Sequence, residues 1–561
     1  MAALLAALVV LAGSITVSTA GAADGQASAS KPGKKKPQLK KAPKANAQAS
    51  FTARGSVGDA YVTNAAAGIK LLLVNNQNRI VAEGNADSFG SKIFYDQKPG
   101  PGYRVLSRKG SEVAGTAKFA ILKPGANPPQ SFYDAVDLHE GLNYVKMRDG
   151  VELAMTVRLP AGKTMADGPF ATFIEHSGYP TAAPKGALTD ILAGDPLAPA
   201  ASTAVGSIVG PLLGFATVSV QMRGSGCSGG AFDLFGLPTT YDGYDMVEMV
   251  GSQPWVKGGK VGMGGISFSG ISQLFAAGTR PPHLSAISPL SITDDLYSGT
   301  GYPGGIFNKG FALSWIQERM DEAQPAPGGG QEWARILTQQ GDQHCIENQK
   351  LRYQTRNAVQ LVEKNPYRTP KLFKYRSPGY WMSRIEVPTL FASQFQDEQT
   401  GGRFGESLGN LKNNPNVWMI LQNGPHVDSL GPSVITRWVE FMKLFVADEV
   451  PVIDPAVIGL GPALYEAVAP GAGSAPLQQT RFTDYTSAES AMNVFRQDPR
   501  VRLLMENGNA LADKPGAIGA KWELDYDSWP IKEAKATPFY LGGKGALTKA
   551  KPKSNKKVTY T

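Results

Sequence analysis

The chain has 561 residues, 42% of them hydrophobic and 18% charged, which is ordinary for a soluble globular protein but too long for one core. The net charge of +9 misleads, because seven lysines crowd residues 31–44 and six crowd residues 541–561; without those thirteen the body carries −4. The basic character thus sits in the tails, which argues against a folded nucleic-acid surface, and 64 glycines with 40 prolines favour a loop-rich, β-containing enzyme over a helical bundle.

Residues 2–12 form an apolar run too short to span a bilayer, and Ala20-Gly21-Ala22 after it fits a small-residue cleavage site. Residues 1–22 therefore read as a secretory signal peptide, although no basic residue precedes the apolar run. The expected location is secreted or cell-envelope associated. Residues 23–50, rich in Lys, Ala and Pro, read as a disordered linker whose lysines offer weak contact with an anionic cell envelope, unless they only solvate a spacer.

Residues 51–128 break into short strands, such as Lys70 to Asn75, Arg79 to Ala82, Ser91 to Tyr95 and Tyr103 to Leu106, separated by turns like Pro99-Gly-Pro-Gly102. They predict a small N-terminal β-sandwich with no catalytic constellation. From residue 129 the pattern changes. Apolar runs at Ala171–Ile174, Phe215–Val220, Lys260–Ile266, Leu284–Ile287, Val387–Phe391 and Val417–Leu421 alternate with helical stretches. Near-continuous apolar strands predict a sheet covered on both faces, hence an α/β domain over 129–430. The alternation stops at about 289–384, which are rich in helix formers and aromatics and read as a cap inserted between two strands.

The stretch with most chemistry is Lys260-Val-Gly-Met-Gly-Gly-Ile-Ser-Phe-Ser-Gly270. A strand that turns sharply into a helix pushes the turn residue into the open, and small neighbours make the turn feasible. Ser267 is placed there as a nucleophile, with the Phe268 N–H at the new helix N-terminus as one oxyanion donor. The second donor is sought in the loop Glu175-His-Ser-Gly-Tyr-Pro180. The alternative is a serine that merely caps a helix. A serine nucleophile needs a base and a group to orient it. Of only five histidines, His426 follows the strand Val417–Leu421, and Asp397 follows Val387–Phe391. The order Ser267, Asp397, His426 is the order used by α/β-hydrolases. Glu398 is an adjacent rival to Asp397. His176 reads as a supporting or structural residue, and His139, His283 and His344 as surface or core residues.

Arg223-Gly-Ser-Gly-Cys-Ser-Gly-Gly-Ala-Phe232, Tyr241-Asp-Gly-Tyr-Asp245, Gln253-Pro-Trp255 and Val261 to Gly270 recur in order as in the X-Pro dipeptidyl-peptidase (S15) and cocaine-esterase-like CocE/NonD group of serine hydrolases, which the chain resembles over roughly 140–430. The resemblance implies an α/β-hydrolase fold with an inserted helical cap and a C-terminal jelly roll. It implies Ser267, Asp397 and His426 as the triad and the Tyr179 hydroxyl as second oxyanion donor beside Phe268. Phe268 stands where tyrosine is common. Residues 431–561 then hold a C-terminal helix and the onset of an incomplete jelly roll near Pro538. An acyl-enzyme route on an ester, amide or X-Pro peptide substrate follows, with no metal or cofactor.

Asp294, Asp295 and Tyr297 follow a strand and are candidates for binding a substrate ammonium; helix capping is the alternative. Cys227, in the arginine-glycine loop, and Cys345, in the cap, are expected to form a disulfide that staples cap to core. Two other readings remain. Gly224-Ser-Gly226-Cys-Ser-Gly229 fits a dinucleotide fingerprint, but no helix opens after it. A non-catalytic envelope-binding protein using the β module would leave the triad unexplained.

Overall fold

A computed structural model describes residues 39–542 and 545–553; the expected signal peptide and the linker up to residue 38 lie outside them. Residues from Lys41 onward belong to one unit.

The N-terminal strands are β1 (Ala47–Gln48), β2 (Thr52–Gly55), β3 (Ala60–Thr63), β4 (Lys70–Val74), β5 (Ile80–Asn85), β6 (Lys92–Phe94), β7 (Gly100–Lys109), β8 (Glu112–Gly115) and β9 (Phe119–Ile121). One sheet runs β1-β8-β7-β4-β5, with β9 on β7, and a second runs β2-β3-β6. The period-2 alternation of strands decides the packing. Leu71 and Leu73 of β4 and Val105 of β7 meet Ala60, Val62 and Phe94 in one core. The opposite faces of the same strands, through Val74 and Leu106, pack under Ala42 and Ala45.

That second contact corrects the linker boundary. Residues 41–50, assigned from composition to a disordered linker, cover a sheet face, and Ala47 pairs with Ala114. The charge reading shifts with it. The module over 41–128 holds twelve lysines and arginines against five acids, while 129–540 holds 33 against 41. Net basic charge therefore lies within the folded module as well as in the tails.

The α/β part begins with α1 (Gln130–Asp134), β10 (Gly141–Lys146), β11 (Glu152–Arg158), β12 (Phe170–Ser177), α2 (Leu188–Leu192), α3 (Val205–Leu212) and β13 (Ala216–Gln221). It continues with α4 (Leu237–Gly251), β14 (Val256–Ile266), α5 (Phe268–Gly278) and β15 (Leu284–Leu290). The expected insertion follows as α6 (Phe311–Glu322), α7 (Glu332–Gln339), α8 (Gln343–Asn348), α9 (Ala358–Glu363), α10 (Pro370–Phe373) and α11 (Pro378–Met382). Then come β16 (Thr389–Gln394), α12 (Ser407–Asn410), β17 (Val417–Gln422), α13 (Pro432–Met442), α14 (Pro455–Val468), α15 (Ala488–Arg496), β18 (Val501–Met505) and β19 (Trp522–Tyr526).

The sheet order is β10-β11-β13-β12-β14-β15-β16-β17-β18-β19. β12 to β18 are mutually parallel, so each needs a crossover, and both faces are covered. On one face Phe173 and Phe215 pack on Trp438 and Phe441 of α13. On the other, Ile174, Val218 and Met263 pack beneath α4 and α5. This is an α/β-hydrolase sheet with a helical cap. It also extends further than expected. β18 and β19, placed in a separate C-terminal segment by sequence, prolong the same sheet to Tyr526. At the position expected for the jelly-roll onset, β20 (Tyr540–Leu541) pairs with β21 (Leu547–Thr548).

Candidate active site

Ser267 lies between the last residue of β14 and the first of α5, at φ 60° and ψ −119°. A non-glycine residue at positive φ is strained, and such strain clusters at functional turns. Its neighbours have no room to grow. A Cβ on Gly270 would stand 2.5 Å from the Leu290 carbonyl oxygen, and one on Gly265, at φ +141°, would run into the Ser269 hydroxyl. Ser269 fits in place of the usual glycine because its hydroxyl donates back to the Ile266 carbonyl at 3.0 Å. The Ser267 N–H donates to Leu290 O at 2.9 Å, which pins the turn to β15.

The ends of β16 and β17 bring Asp397 and His426 together. His426 Nδ1 stands 2.8 Å from Asp397 Oδ2, with both side chains buried. Asp397 also accepts from the Gln399 and Thr400 N–H groups at 2.8 and 2.7 Å and from the Thr400 hydroxyl at 2.7 Å. Burial alone would raise its carboxyl, but His426 and the Thr400 bonds outweigh burial and hold it below the usual range. His426 Nε2 is buried and has no hydrogen-bond partner among the described residues. Glu398, the rival acid, is exposed and accepts from the His426 backbone N–H at 3.0 Å, so it caps the turn and leaves the ring to Asp397. The Ser291 hydroxyl donates to His426 O at 2.7 Å and bonds Ser429 at 2.8 Å, tying the turn to the end of β15.

Tyr179, two residues beyond β12, is buried, and its hydroxyl faces the Ser267 side chain, whose influence works against the rise that burial imposes on the phenol. The cap holds it: Trp315 Nε1 donates to the Tyr179 oxygen at 3.1 Å, and the Arg319 guanidinium lies 4.9 Å from its ring centroid. The Trp315 bond and Arg319 oppose the same rise. Gly178 is forced small by the Phe268 ring, and its carbonyl accepts from cap residue Gln331 at 2.7 Å. Phe268 packs edge-on against both Tyr179 and Trp315.

The three ammonium candidates part ways. Asp295 caps the next turn through Tyr297 N–H, accepts from Ser377 and Ser298, and pairs with Arg368 at 2.8 Å. Tyr297 donates its hydroxyl to Pro366 O. Asp294 keeps Oδ1 buried without a partner among the described residues, and burial raises its carboxyl. Beside them the cap helps to wall a narrow apolar cavity, lined by Leu234, Leu296, Trp315, Ile316, Val362 and Phe373. Its charged lining residues, Asp233 and Arg376, pair with each other at 2.6 Å. Trp315 thus borders this cavity on one side and holds Tyr179 on the other. Trp315 and Gln331 went unnoticed in the sequence; the aromatic content of the cap was the available signal.

His176 is buried on β12, and desolvation lowers its ring to about 3, so it is neutral. His139, His283 and His344 bond nearby carbonyl or carboxylate oxygens away from the triad. Among the described residues no group of three His, Cys, Asp or Glu side chains is placed to hold a metal ion. Cys227 and Cys345 are joined, with Cα atoms 4.6 Å apart, so the cap is covalently fixed to the loop after β13. Arg352 reinforces the joint by donating to Gly226 O and Ser228 O at 2.6 and 2.7 Å. Arg223 of that loop bridges Asp149 and Asp242 at 2.9 and 2.6 Å.

Residues 149–428 match the family model of the X-Pro dipeptidyl-peptidases, the S15 family. The chain belongs to this family. Among its relatives, a Mycobacterium bovis protein that carries the name "Putative serine esterase" is 32% identical over 173 residues, which is 31% of this chain and 27% of that protein. Cocaine esterase of a Rhodococcus strain is 24% identical over 423 residues, 72% of this chain and 62% of the esterase. A solved CocE/NonD family hydrolase of Staphylococcus aureus superposes with TM-score 0.49 at 17% identity, covering 87% of this chain and 65% of that one. The chain thus spans less than two thirds of each of these relatives over the matched stretch.

Proposed function

We propose that the chain is an exported serine hydrolase acting through an acyl-enzyme on Ser267. The observation that carries this reading is the strained serine turn, faced by the Tyr179 hydroxyl, with the Asp397–His426 pair at the ends of the strands that follow. Asp397 fixes the His426 ring with Nδ1 protonated, which leaves Nε2 as the base for the serine proton. Ser267 attacks the acyl carbon. The oxyanion forms against the Tyr179 hydroxyl and the Phe268 N–H, and His426 returns the proton to the leaving group. Water repeats the sequence to release the acid.

An ester with an uncharged, apolar acyl group is the favoured substrate. The cap cavity beside Trp315 is lined by carbon, and its two charged residues neutralise each other. Relatives named as esterases support the same choice. Asp294 favours a second reading, since its partnerless Oδ1 suits a substrate ammonium as an X-Pro peptide would present. Export rests on the apolar N-terminal run and the disulfide.

Fluorophosphonate labelling read by intact mass tests the proposal. One adduct on wild type and none on Ser267→Ala is expected, followed by turnover of p-nitrophenyl acyl esters well above that of X-Pro anilides. A wild-type protein that stays unlabelled, or a Ser267→Ala variant that keeps its turnover, overturns the mechanism. Faster anilide cleavage, lost in Asp294→Asn, would favour the peptidase reading.

A further inference from the structure

Beneath the serine turn, on the α3 side of the sheet, lies a buried polar chain that the proposed mechanism does not use. The Glu175 side chain, at 0% exposure, accepts from the Ser207 N–H at 2.6 Å and the Ser207 hydroxyl at 2.5 Å through Oε2. Its other oxygen lies 3.3 Å from the Ser269 hydroxyl, sharing that proton with the Ile266 carbonyl, inside the turn itself. A Cβ on Gly265 would stand 3.2 Å from that oxygen, so the carboxyl fills the space under the turn. From Ser207 the chain continues to the Ser219 hydroxyl at 2.6 Å, and Arg158 Nη1 donates to Ser219 at 2.6 Å. Arg158 in turn donates to Thr181 O at 3.3 Å and Ala183 O at 2.5 Å, in the segment just past Tyr179.

One unbroken set of hydrogen bonds thus spans β11, β13, α3 and β12, with the Ser267 turn at one end and the Tyr179 loop at the other. We propose that Arg158 and Glu175, linked through Ser219 and Ser207, are positioning residues that set the distance between Ser267 and its oxyanion donor Tyr179. Burying an acid and a base that do not touch is costly, and an apolar filling would pack the same space more cheaply. What an apolar filling lacks is direction. Each bond here fixes an angle as well as a contact, at both walls of the reacting centre. Misplacement by about 1 Å costs on the order of a hundredfold in rate.

The inference rests on Ser267 as nucleophile, so fluorophosphonate labelling of wild type at Ser267 is the control; absent labelling there is a failure of that reading, not of the brace. With labelling in hand, kcat and KM for a p-nitrophenyl ester are measured on Glu175→Gln, Arg158→Met, their double variant and Ser219→Ala, each with a thermal melt. The expected result is a kcat lowered about ten- to a hundredfold in the single charge variants, with KM within about twofold. The double variant should be no slower than the worse single, because both break one chain. Ser219→Ala removes a link without touching a charge and should lower kcat several-fold with the melt retained. A kcat within about twofold of wild type in folded Glu175→Gln and Ser219→Ala overturns the proposal. So does a loss of melting temperature with kcat intact. If the charge variants fail to fold, Ser219→Ala decides alone.

Discussion

The two halves of the candidate site are built differently. The acid–base half is local. Asp397 is held by Thr400 and Gln399 of its own loop, and His426 by Glu398 and by Ser291, itself bonded to Ser429, all at the ends of neighbouring strands. The oxyanion half is assembled from afar. Tyr179 depends on Trp315 and its loop on Gln331, both from an insertion held down by Arg352 and a disulfide. The proton-transfer pair should therefore survive disturbance of the cap, while stabilisation of the oxyanion should not.

The largest expected effect breaks the local half. Asp397→Asn should lower kcat by about 10⁴-fold, as loss of the histidine-orienting acid does elsewhere. Glu398→Gln should cost less than about tenfold, because Glu398 touches only the His426 backbone. Equal losses in steady-state kinetics would undo the assignment of Asp397. Next, Tyr179→Phe should lower kcat by about 10²–10³ through one lost oxyanion donor, and labelling at Ser267 should persist. Cap variants come third. Gln331→Ala should lower kcat by roughly tenfold, and Cys227→Ser with Cys345→Ser should cost about 2–4 kcal/mol in denaturant unfolding. If those changes slowed the reaction as much as Asp397→Asn, the two halves would not be separable.

The smallest effect is a pH dependence beside His426. Burial, then the charge of Glu398, pushes the Asp428 carboxyl up to about 7. An acid raised in the fold contributes its stability in acid and loses it as pH rises through the folded value. Melting temperature should thus fall between about pH 4 and about pH 7, and fall less in Asp428→Asn. An identical slope in the variant would show that Asp428 does not titrate as described.

The sheet and the three triad candidates were legible because each sits at the end of a continuous apolar strand, and five histidines leave few choices. The legible signals were local in sequence. What escaped was set by distant partners. Residues 41–50 look like spacer, yet Ala42 and Ala45 cover a sheet face whose own residues lie further along the chain. β18 reaches the sheet after a helical detour from β17, a pairing that no periodicity announces. Asp295 looked as available as Asp294, but Arg368 and Ser377, more than 70 residues on, engage it. Asp397 and Glu398 were inseparable by spacing; only the direction of the two side chains in a tight loop distinguishes them.

The split of charge between the β module and residues 129–540 makes the net value a poor guide to behaviour. Twelve basic against five acidic residues over 41–128, and 33 against 41 over 129–540, give the module a net +7 and the α/β part a net −8. At physiological ionic strength charges beyond about 8 Å are screened from one another, so each part meets its surroundings separately. A cation exchanger should therefore hold the chain through its β module rather than its α/β part, a preference that added salt erases.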